Sequence, residues 1–394
     1  MAEFSCIGSG FLKCSGSCAY CSATSVQDVD FEKKGIKKED WGKVEWDFDA
    51  MKKIFDTNPI IQEHLKSGQK LTLNWWAAEP LDWTKECDMY TDWVDKNYPN
   101  LNYDLFISTN AIPLARKKVV EWVYEQHKKH GLHIQISHDG VGQFIRTKTF
   151  DPFYDEKTKD VIVKLAKDGI FNMINVTLNN YNCSPIANFH YIQKWRYENH
   201  LEHLSFYIKL NHNNDSDYTL KYRLRDYNLS RYMHEMELLW LDAYEAGPNN
   251  EYWKPFYSYF ANQMSRSDPY KGLGGCGQFA SGQKDWTWCM NTKGEYVWCQ
   301  LCNDPKDVIN AKCEQAEACK HCEFRHFDDC HPCPDMSMSE DCGPGHYAYK
   351  QEFIRATLRA KKWMNIINAY RRRIGELENQ LNNKSCNCNN KGKC

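Results

Sequence analysis

The residues in this chain best suited to chemistry are thiols, and two groups of them are spaced as ligands. The first is Cys14-Ser-Gly-Ser-Cys18-Ala-Tyr20-Cys21, a CxxxCxxC run. Thiolates at this spacing can converge from one loop onto three corners of a cubane iron–sulfur cluster. The fourth iron then has no protein ligand, and an open metal position can bind a substrate or cofactor directly. A zinc loop is the plainer alternative for the same residues. The second group runs from Cys276 to Cys342 and holds ten cysteines, among them Cys319-Lys-His-Cys322 and Cys330-His-Pro-Cys333. Two CxxC pairs with intervening thiols suit a four-thiolate zinc site or further iron–sulfur clusters.

The distribution of the 19 cysteines supports ligation over packing. Four lie in the first 21 residues and three in the tail, at Cys386, Cys388 and Cys394. Only Cys87 and Cys183 fall between the two groups; structural cysteines would scatter more evenly. The N-terminus MAEFSCIGSG has neither a basic nor a long apolar stretch, so no export signal is read. Reduced thiolates in a cytoplasmic protein follow from that. No apolar run is long enough to span a membrane. The net charge of −2 gives no global field to recruit a polyanion, which argues against a general nucleic-acid binder. With 42% hydrophobic and 14% aromatic residues, the chain can bury a sizeable core.

Such ligands need a scaffold. Apolar, β-rich runs recur at Leu71–Trp76, Tyr103–Ser108, His133–Ser137, Asn172–Leu178 and Ser205–Leu210, and a strand before Cys14 makes six. Helical patterns lie between them at Phe48–Leu65, Leu114–His130 and Thr158–Asp168. The roughly thirty-residue spacing is that of βαβ units. Parallel strands in such units carry functional residues at their C-terminal ends. After residue 225 a helix capped by Ser230 is expected to run to Ala246, where Gly247-Pro248 stops it. Trp363, Ile367, Tyr370, Ile374, Leu377 and Leu381 step by four and three along an amphipathic helix over Phe353–Leu381, expected to pack its apolar stripe on the core. The tail from Asn382 reads as mobile.

Three segments at strand ends, taken with the CxxxCxxC loop, resemble the radical S-adenosylmethionine superfamily. Ala77-Ala78-Glu79-Pro80 resembles the family's Gly-Gly-Glu-Pro, with both glycines replaced by alanine. Ser108-Thr109-Asn110 resembles its Ser-Thr-Asn-Gly, and Ser137-His138-Asp139-Gly140 its Ser-Leu-Asp-Gly. The resemblance implies a catalytic [4Fe–4S] cluster on Cys14, Cys18 and Cys21. It also implies S-adenosyl-L-methionine bound near Tyr20, Ala77, Ala78, Glu79, Ser108, Asn110, Ser137 and Asn179. The open iron would chelate the cofactor, and reduction would release a 5′-deoxyadenosyl radical that takes a hydrogen atom from substrate. His138 stands where the family has an apolar residue and reads as a locally bonded strand-end histidine.

The later cysteines resemble the SPASM extension of peptide-modifying radical enzymes. There a cysteine precedes a Gly-x4-Cys hairpin, matched by Gly294 and Cys299, followed by CxxC and further cysteines. By that resemblance one or two auxiliary [4Fe–4S] clusters are expected. Cys276, Cys299 and Cys333 would serve one, with Cys289 as a candidate fourth ligand; Cys319, Cys322, Cys330 and Cys342 would serve the other. Cys302 and Cys313 are extra to the pattern.

The expected architecture is therefore α/β. Residues 1–225 form a partial (β/α)6 TIM-like barrel, 226–275 a helical connector, 276–345 a Cys-rich SPASM-like auxiliary-cluster domain, and 346–394 a basic amphipathic helix with a mobile tail. The expected activity is radical modification of a peptide or protein side chain, with a flavodoxin- or ferredoxin-type reductant. The chain reaches Cys14 too soon for an N-terminal leader-binding domain, so a separate leader-binding partner is an open expectation. Sulfatase-maturing relatives carry Asp after the hairpin cysteine. Here Gln300 stands there, and an amide cannot accept a proton near neutral pH. That disfavours formylglycine formation unless Asp304 substitutes. Radical modification of a nucleotide or small metabolite is the alternative, and the run of Arg355, Arg359, Lys361, Lys362 and Arg371–Arg373 keeps a phosphate-rich partner open. A zinc or electron-transfer scaffold, which would neither bind nor cleave S-adenosylmethionine, is the non-catalytic reading.

Overall fold

The structure is a computed structural model, and it describes residues 2–8, 14–16, 18, 43–148, 150–210, 226–254, 289–297 and 342–390. Seven strands form one parallel sheet: β1 (Glu3–Ile7), β2 (Leu71–Trp76), β3 (Tyr103–Thr109), β4 (His133–Ser137), β5 (Phe171–Leu178), β6 (Ser205–Leu210) and β7 (Cys289–Asn291). Their order is β6-β5-β4-β3-β2-β1-β7. The first six are those expected from the sequence, in simple succession, each joined to the next by a crossover.

The strands alternate with a period of two. Phe4, Leu73, Trp75, Leu105, Ile107, Ile134, Ile136, Ile174 and Val176 belong to the main apolar core. The intervening residues are polar and bonded to one another. Asn74 Nδ2 donates to Ser5 Oγ at 3.2 Å, Gln135 Nε2 to Ser108 Oγ at 3.2 Å, and Tyr207 OH to Gln135 Oε1 at 3.3 Å. Burial, with a further push from the Glu3 carboxylate, raises the Tyr207 phenol above its usual value. That places β1 and β6 within electrostatic reach across a concave face, as a curled partial barrel requires.

Nine helices accompany the sheet: α1 (Phe48–Thr57), α2 (Pro59–Ser67), α3 (Thr84–Asn97), α4 (Lys117–His130), α5 (Gln143–Thr147), α6 (Lys159–Lys167), α7 (Pro185–Glu198), α8 (Asp226–Ala246) and α9 (Cys342–Asn390), counted among the described residues. The single Phe48–Leu65 pattern is divided because buried Asn58 accepts from the backbone N–H groups of Ile60 and Ile61, and Pro59 starts the second helix. The helix expected from Ser230 begins at Asp226, so Ser230 lies inside it. Gly247, at φ +85°, stands just past its end.

The segment read as a hairpin also joins the barrel. Met290 bridges Tyr296 antiparallel around Gly294, while Ser5, Cys6 and Ile7 pair in parallel with Cys289, Met290 and Asn291. A three-residue strand is too short to show a pattern in sequence, so its place in the sheet was not legible.

α9 begins earlier and ends later than the Phe353–Leu381 pattern. Its apolar stripe meets the body only at its N-terminal end, where Ala356 and Ala360 continue the spacing of four and three. Ala356 and Ala360 are buried and Met364 packs on the core, whereas Trp363, Tyr370, Ile374, Leu377 and Leu381 are exposed. Small residues let α9 approach α8 closely, and Arg359 Nε bonds Glu237 Oε2 at 2.8 Å.

Candidate active site at the C-terminal ends of the strands

The loop after β1 is tied down by the loops after β2, β3 and β4. Ser15 N–H donates to Asp82 Oδ2 at 2.8 Å, and Asp82 Oδ1 in turn accepts from Arg116 Nη2 at 2.6 Å. Cys14 Sγ accepts from Gly16 N–H at 3.2 Å and from Asn110 Nδ2 at 3.7 Å. A Cβ at Gly16 would sit 2.8 Å from that same Asn110 nitrogen, so a side chain there would displace it. Cys18 Sγ accepts from Arg146 Nη1 at 3.7 Å. Two sulfurs from one short loop thus meet N–H donors presented by the end of β3 and by α5, the short helix after β4.

Arg146 is held in place by Asp139, which is fully buried and takes its Nε at 3.1 Å and its Nη2 at 2.9 Å. Asn182 fastens this loop to the next one: its Nδ2 reaches the carbonyls of Asp139 and Thr177, and its Oδ1 accepts from Asn179 N–H at 2.6 Å. Arg146, Thr109, Asp82 and Asn182 were not singled out from sequence. Arg146 lies seven residues past Asp139, and only an acid–base pairing rule applied to the quoted Ser-His-Asp-Gly segment could have flagged it.

Glu79 is 1% exposed and links two strand ends. Its Oε1 accepts from Leu81 N–H at 3.1 Å and Thr109 Oγ1 at 2.6 Å, and its Oε2 from Asn110 N–H at 2.7 Å. Burial pushes the carboxyl from its ordinary 4.5 up to about 7, against those three bonds, which pull it down. The folded state therefore holds this proton where the unfolded chain has lost it. The sign follows: the contribution to stability declines as pH rises from about 4.5 to about 7 and is level above. We expect denaturant midpoints measured across that window to show a falling component that Glu79→Gln flattens; an unchanged slope in the variant would refute the assignment.

Ala111, where the resembled motif has Gly, adopts φ 64°. A left-handed alanine costs on the order of 1–2 kcal/mol. The conformation is held by Ala111 N–H donating to Thr109 Oγ1 at 3.0 Å and by a following short turn, Ile112–Ala115. Asn110 is fixed beside it, its Oδ1 accepting from Ile112 N–H at 2.9 Å while its Nδ2 donates to Cys14.

Ser108 and Ser137 meet, Oγ to Oγ, at 3.4 Å on adjacent strands. Asn179 is fully buried at the end of β5, and its Nδ2 has no partner among the described residues; the same holds for Gln143 Nε2. Buried donors without acceptors are costly, and these two flank the Arg146 loop. Ala77 and Ala78 are half-buried in the loop that follows β2.

His138 behaves as expected. Its Nδ1 accepts from Gly140 N–H at 2.9 Å, so its Nε2 carries the proton donated to Asp151 Oδ1 at 2.9 Å. The ring is fully buried and stacks on Phe153 at 4.2 Å. Although burial raises the Asp151 carboxyl, bonds from His138, Tyr191 and Phe153 outweigh it and hold it below its ordinary value.

Among the described residues no three Cys, His, Asp or Glu side chains form a metal group. Tyr20 and Cys21, the third expected ligand, lie outside them, as do Cys276, Cys299, Cys319, Cys322, Cys330 and Cys333. Cys342 is described by its backbone at the start of α9. Cys289 lies on β7, buried in a small apolar group with Ile7, Val297 and the half-buried Trp76. The donor set at Cys14 and Cys18 nonetheless fits an anionic iron–sulfur cluster, since N–H groups directed at sulfur stabilise thiolate charge. The Asn179 Nδ2, without a partner among the described residues, and the guanidinium of Arg146 fit an acceptor-rich ligand beside it.

No protein-family model matches the chain, and no curated protein matches it. Solved structures do. The chain superposes on native anSMEcpe with bound AdoMet and Cp18Cys peptide with a TM-score of 0.58 at 14% identity, covering 92% of this chain and 99% of that one. It matches native anSMEcpe with bound AdoMet at 0.56 and 15% identity over 93% and 100% of the two chains. The form with bound Kp18Cys peptide gives 0.53 at 14% identity. At that identity the likeness establishes the fold alone, an α/β architecture shared with these structures. No helix among the described residues is long and apolar enough to cross a membrane.

Proposed function

We propose that this chain is a radical AdoMet enzyme that modifies a peptide or protein side chain. One observation carries the reading. The sulfurs of Cys14 and Cys18 meet donors from Asn110 and Arg146, which lie 96 and 128 residues away in sequence, one just past the end of β3 and the other on α5, the short helix that follows the neighbouring strand β4. Cys21 completes the three-thiolate set for a [4Fe–4S] cluster. When bound, the cluster and AdoMet supply a one-electron reduction and a 5′-deoxyadenosyl radical.

The chain's own residues hold and orient these groups. Asn110 and Arg146 offset negative charge on sulfur. Asp139 keeps the guanidinium from turning to solvent. Ser108, Ser137, Asn179 and the backbone at Ala77 and Ala78 offer hydroxyl, amide and N–H groups to the polar parts of AdoMet. Glu79 sets the loop after β2 against the loop after β3 and so fixes the spacing of those donors. Tyr20 belongs to the same loop as the ligands.

Two of the superposed anSMEcpe structures hold peptides, and this supports a peptide substrate here. The later cysteines extend the reading to one or two auxiliary [4Fe–4S] clusters. Cys276, Cys299 and Cys333 would serve one, and Cys319, Cys322, Cys330 and Cys342 the other. The apolar surroundings of Cys289 favour packing over ligation at that position. A flavodoxin- or ferredoxin-type reductant would supply the electron.

The test is coupled turnover. Anaerobically reconstituted protein with AdoMet, reductant and candidate peptides should form 5′-deoxyadenosine in step with a mass change on a peptide, read by mass spectrometry. Cleavage coupled only to change in a nucleotide or small metabolite would overturn the substrate class.

A further inference from the structure

The distal part of α9 carries an exposed apolar stripe that nothing in the site described above uses. The body-facing side is clear. Ala356 and Ala360 are buried, Asn368 Oδ1 accepts from Tyr244 OH at 2.6 Å, and Arg371 Nη2 donates to the carbonyl of Glu245 at 2.7 Å. Since α8 ends at Ala246, these last two are contacts with its final turn. The helix continues to Asn390, about 28 Å further at 1.5 Å per residue.

At 3.6 residues per turn, Trp363, Tyr370, Ile374, Leu377 and Leu381 fall within an arc of about 60°, which continues the line of buried Ala356 beyond its contact with the body. All five are exposed, from 42% at Leu377 to 68% at Tyr370. With half-buried Ile367 they occupy alternating a and d positions of a heptad: Ile367, Ile374 and Leu381 at a, Trp363, Tyr370 and Leu377 at d. A helix face this apolar and this regular needs a partner helix.

We propose that α9 pairs with α9 of a second copy of this chain, as a parallel two-stranded coiled coil over Trp363–Leu381. Charge decides the occupant and its direction. In parallel register each of the six apolar positions stacks on itself. Arg373, at g, then lies opposite Glu378 of the second copy, at e, five residues on, and symmetry makes this pair twice. No like charges face each other. The antiparallel register that keeps all six apolar positions sets Arg371 against Arg371 and Arg373 against Arg373. The antiparallel register that instead joins Arg371 to Glu378 moves Trp363 and Ile367 opposite Cys388 and Lys384, off the apolar seam. Arg373 now bonds Glu376 of its own helix at 3.0 Å, with both side chains mostly exposed; such a surface pair is weak and readily exchanged.

Sedimentation of the full-length protein at tens of micromolar tests this. The wild type should be a dimer, and Ile374→Asp with Leu377→Asp should be a monomer with unchanged far-UV circular dichroism, because both residues are exposed. Arg373→Glu should weaken the dimer several-fold, and adding Glu378→Arg should restore it. A monomeric wild type, or a dimer indifferent to the two aspartates, would overturn the proposal. A dimer indifferent to Arg373→Glu would overturn its parallel register.

Discussion

Alanine in place of Cys14, Cys18 or Cys21 should remove AdoMet cleavage altogether, while alanine at Cys6 should leave it intact. All four thiols sit in the first 21 residues, so the contrast rests on position. Cys14 and Cys18 face N–H donors from Gly16, Asn110 and Arg146. Cys6 is fully buried within β1, where burial, and secondarily Cys289, pushes its thiol well above the usual range. A thiol that resists ionisation is a poor ligand. A cubane that loses one of its three protein ligands loses its hold on the cluster, so the effect should be total. Cys6→Ala removes only packing, at about 1 kcal/mol. Iron content and 5′-deoxyadenosine yield after anaerobic reconstitution report both. Retained cleavage in Cys18→Ala would remove it from the ligand set.

The second large effect is on the fold. Gly294 turns the hairpin that supplies β7, at φ +70°, and a Cβ there would lie 2.4 Å from the Ala50 carbonyl carbon and 2.4 Å from Met51 N. Those are backbone atoms at the start of α1, so no side chain can move aside. The hairpin is also held by Asp47 N–H donating to the Thr292 carbonyl at 2.9 Å and by Asn58 Nδ2 donating to Tyr296 OH at 3.2 Å. We expect Gly294→Ala to cost about 3 kcal/mol, combining left-handed strain with overpacking. Gly68→Ala is the control. Its φ is +66° but nothing lies within 4 Å of the added Cβ, so strain alone applies, at about 1 kcal/mol. Denaturant midpoints that shift equally for both variants would show that the hairpin does not dock as described.

The six long strands were legible because each carries a run of apolar and β-branched residues ended by a polar turn, and because their spacing admits only crossover connections. The strand-end positions of Glu79, Ser108, Asn110 and Ser137 followed from the same pattern. What sequence could not give was pairing at a distance. Nothing local in Arg146 says that Asp139 orients it or that Cys18 accepts from it. Glu79 reads as a cofactor contact in its motif, yet its carboxylate accepts three protein hydrogen bonds, and only the register of β2 against β3 reveals that. The stripe on α9 was read as core-facing along its length, because period gives the face of a helix and not how far a neighbour runs beside it. It is buried at Ala356 and Ala360, which extend its spacing toward the N-terminus, and small residues give a weak signal in a hydrophobic pattern.

One measurement bears most directly on the central claim. Wild-type protein, reconstituted anaerobically with iron and sulfide and reduced in the presence of AdoMet, should yield 5′-deoxyadenosine and methionine in equal amounts, even without substrate. A protein that takes up zinc in preference to iron, or that holds iron and sulfide yet leaves AdoMet intact under strong reduction, would contradict it.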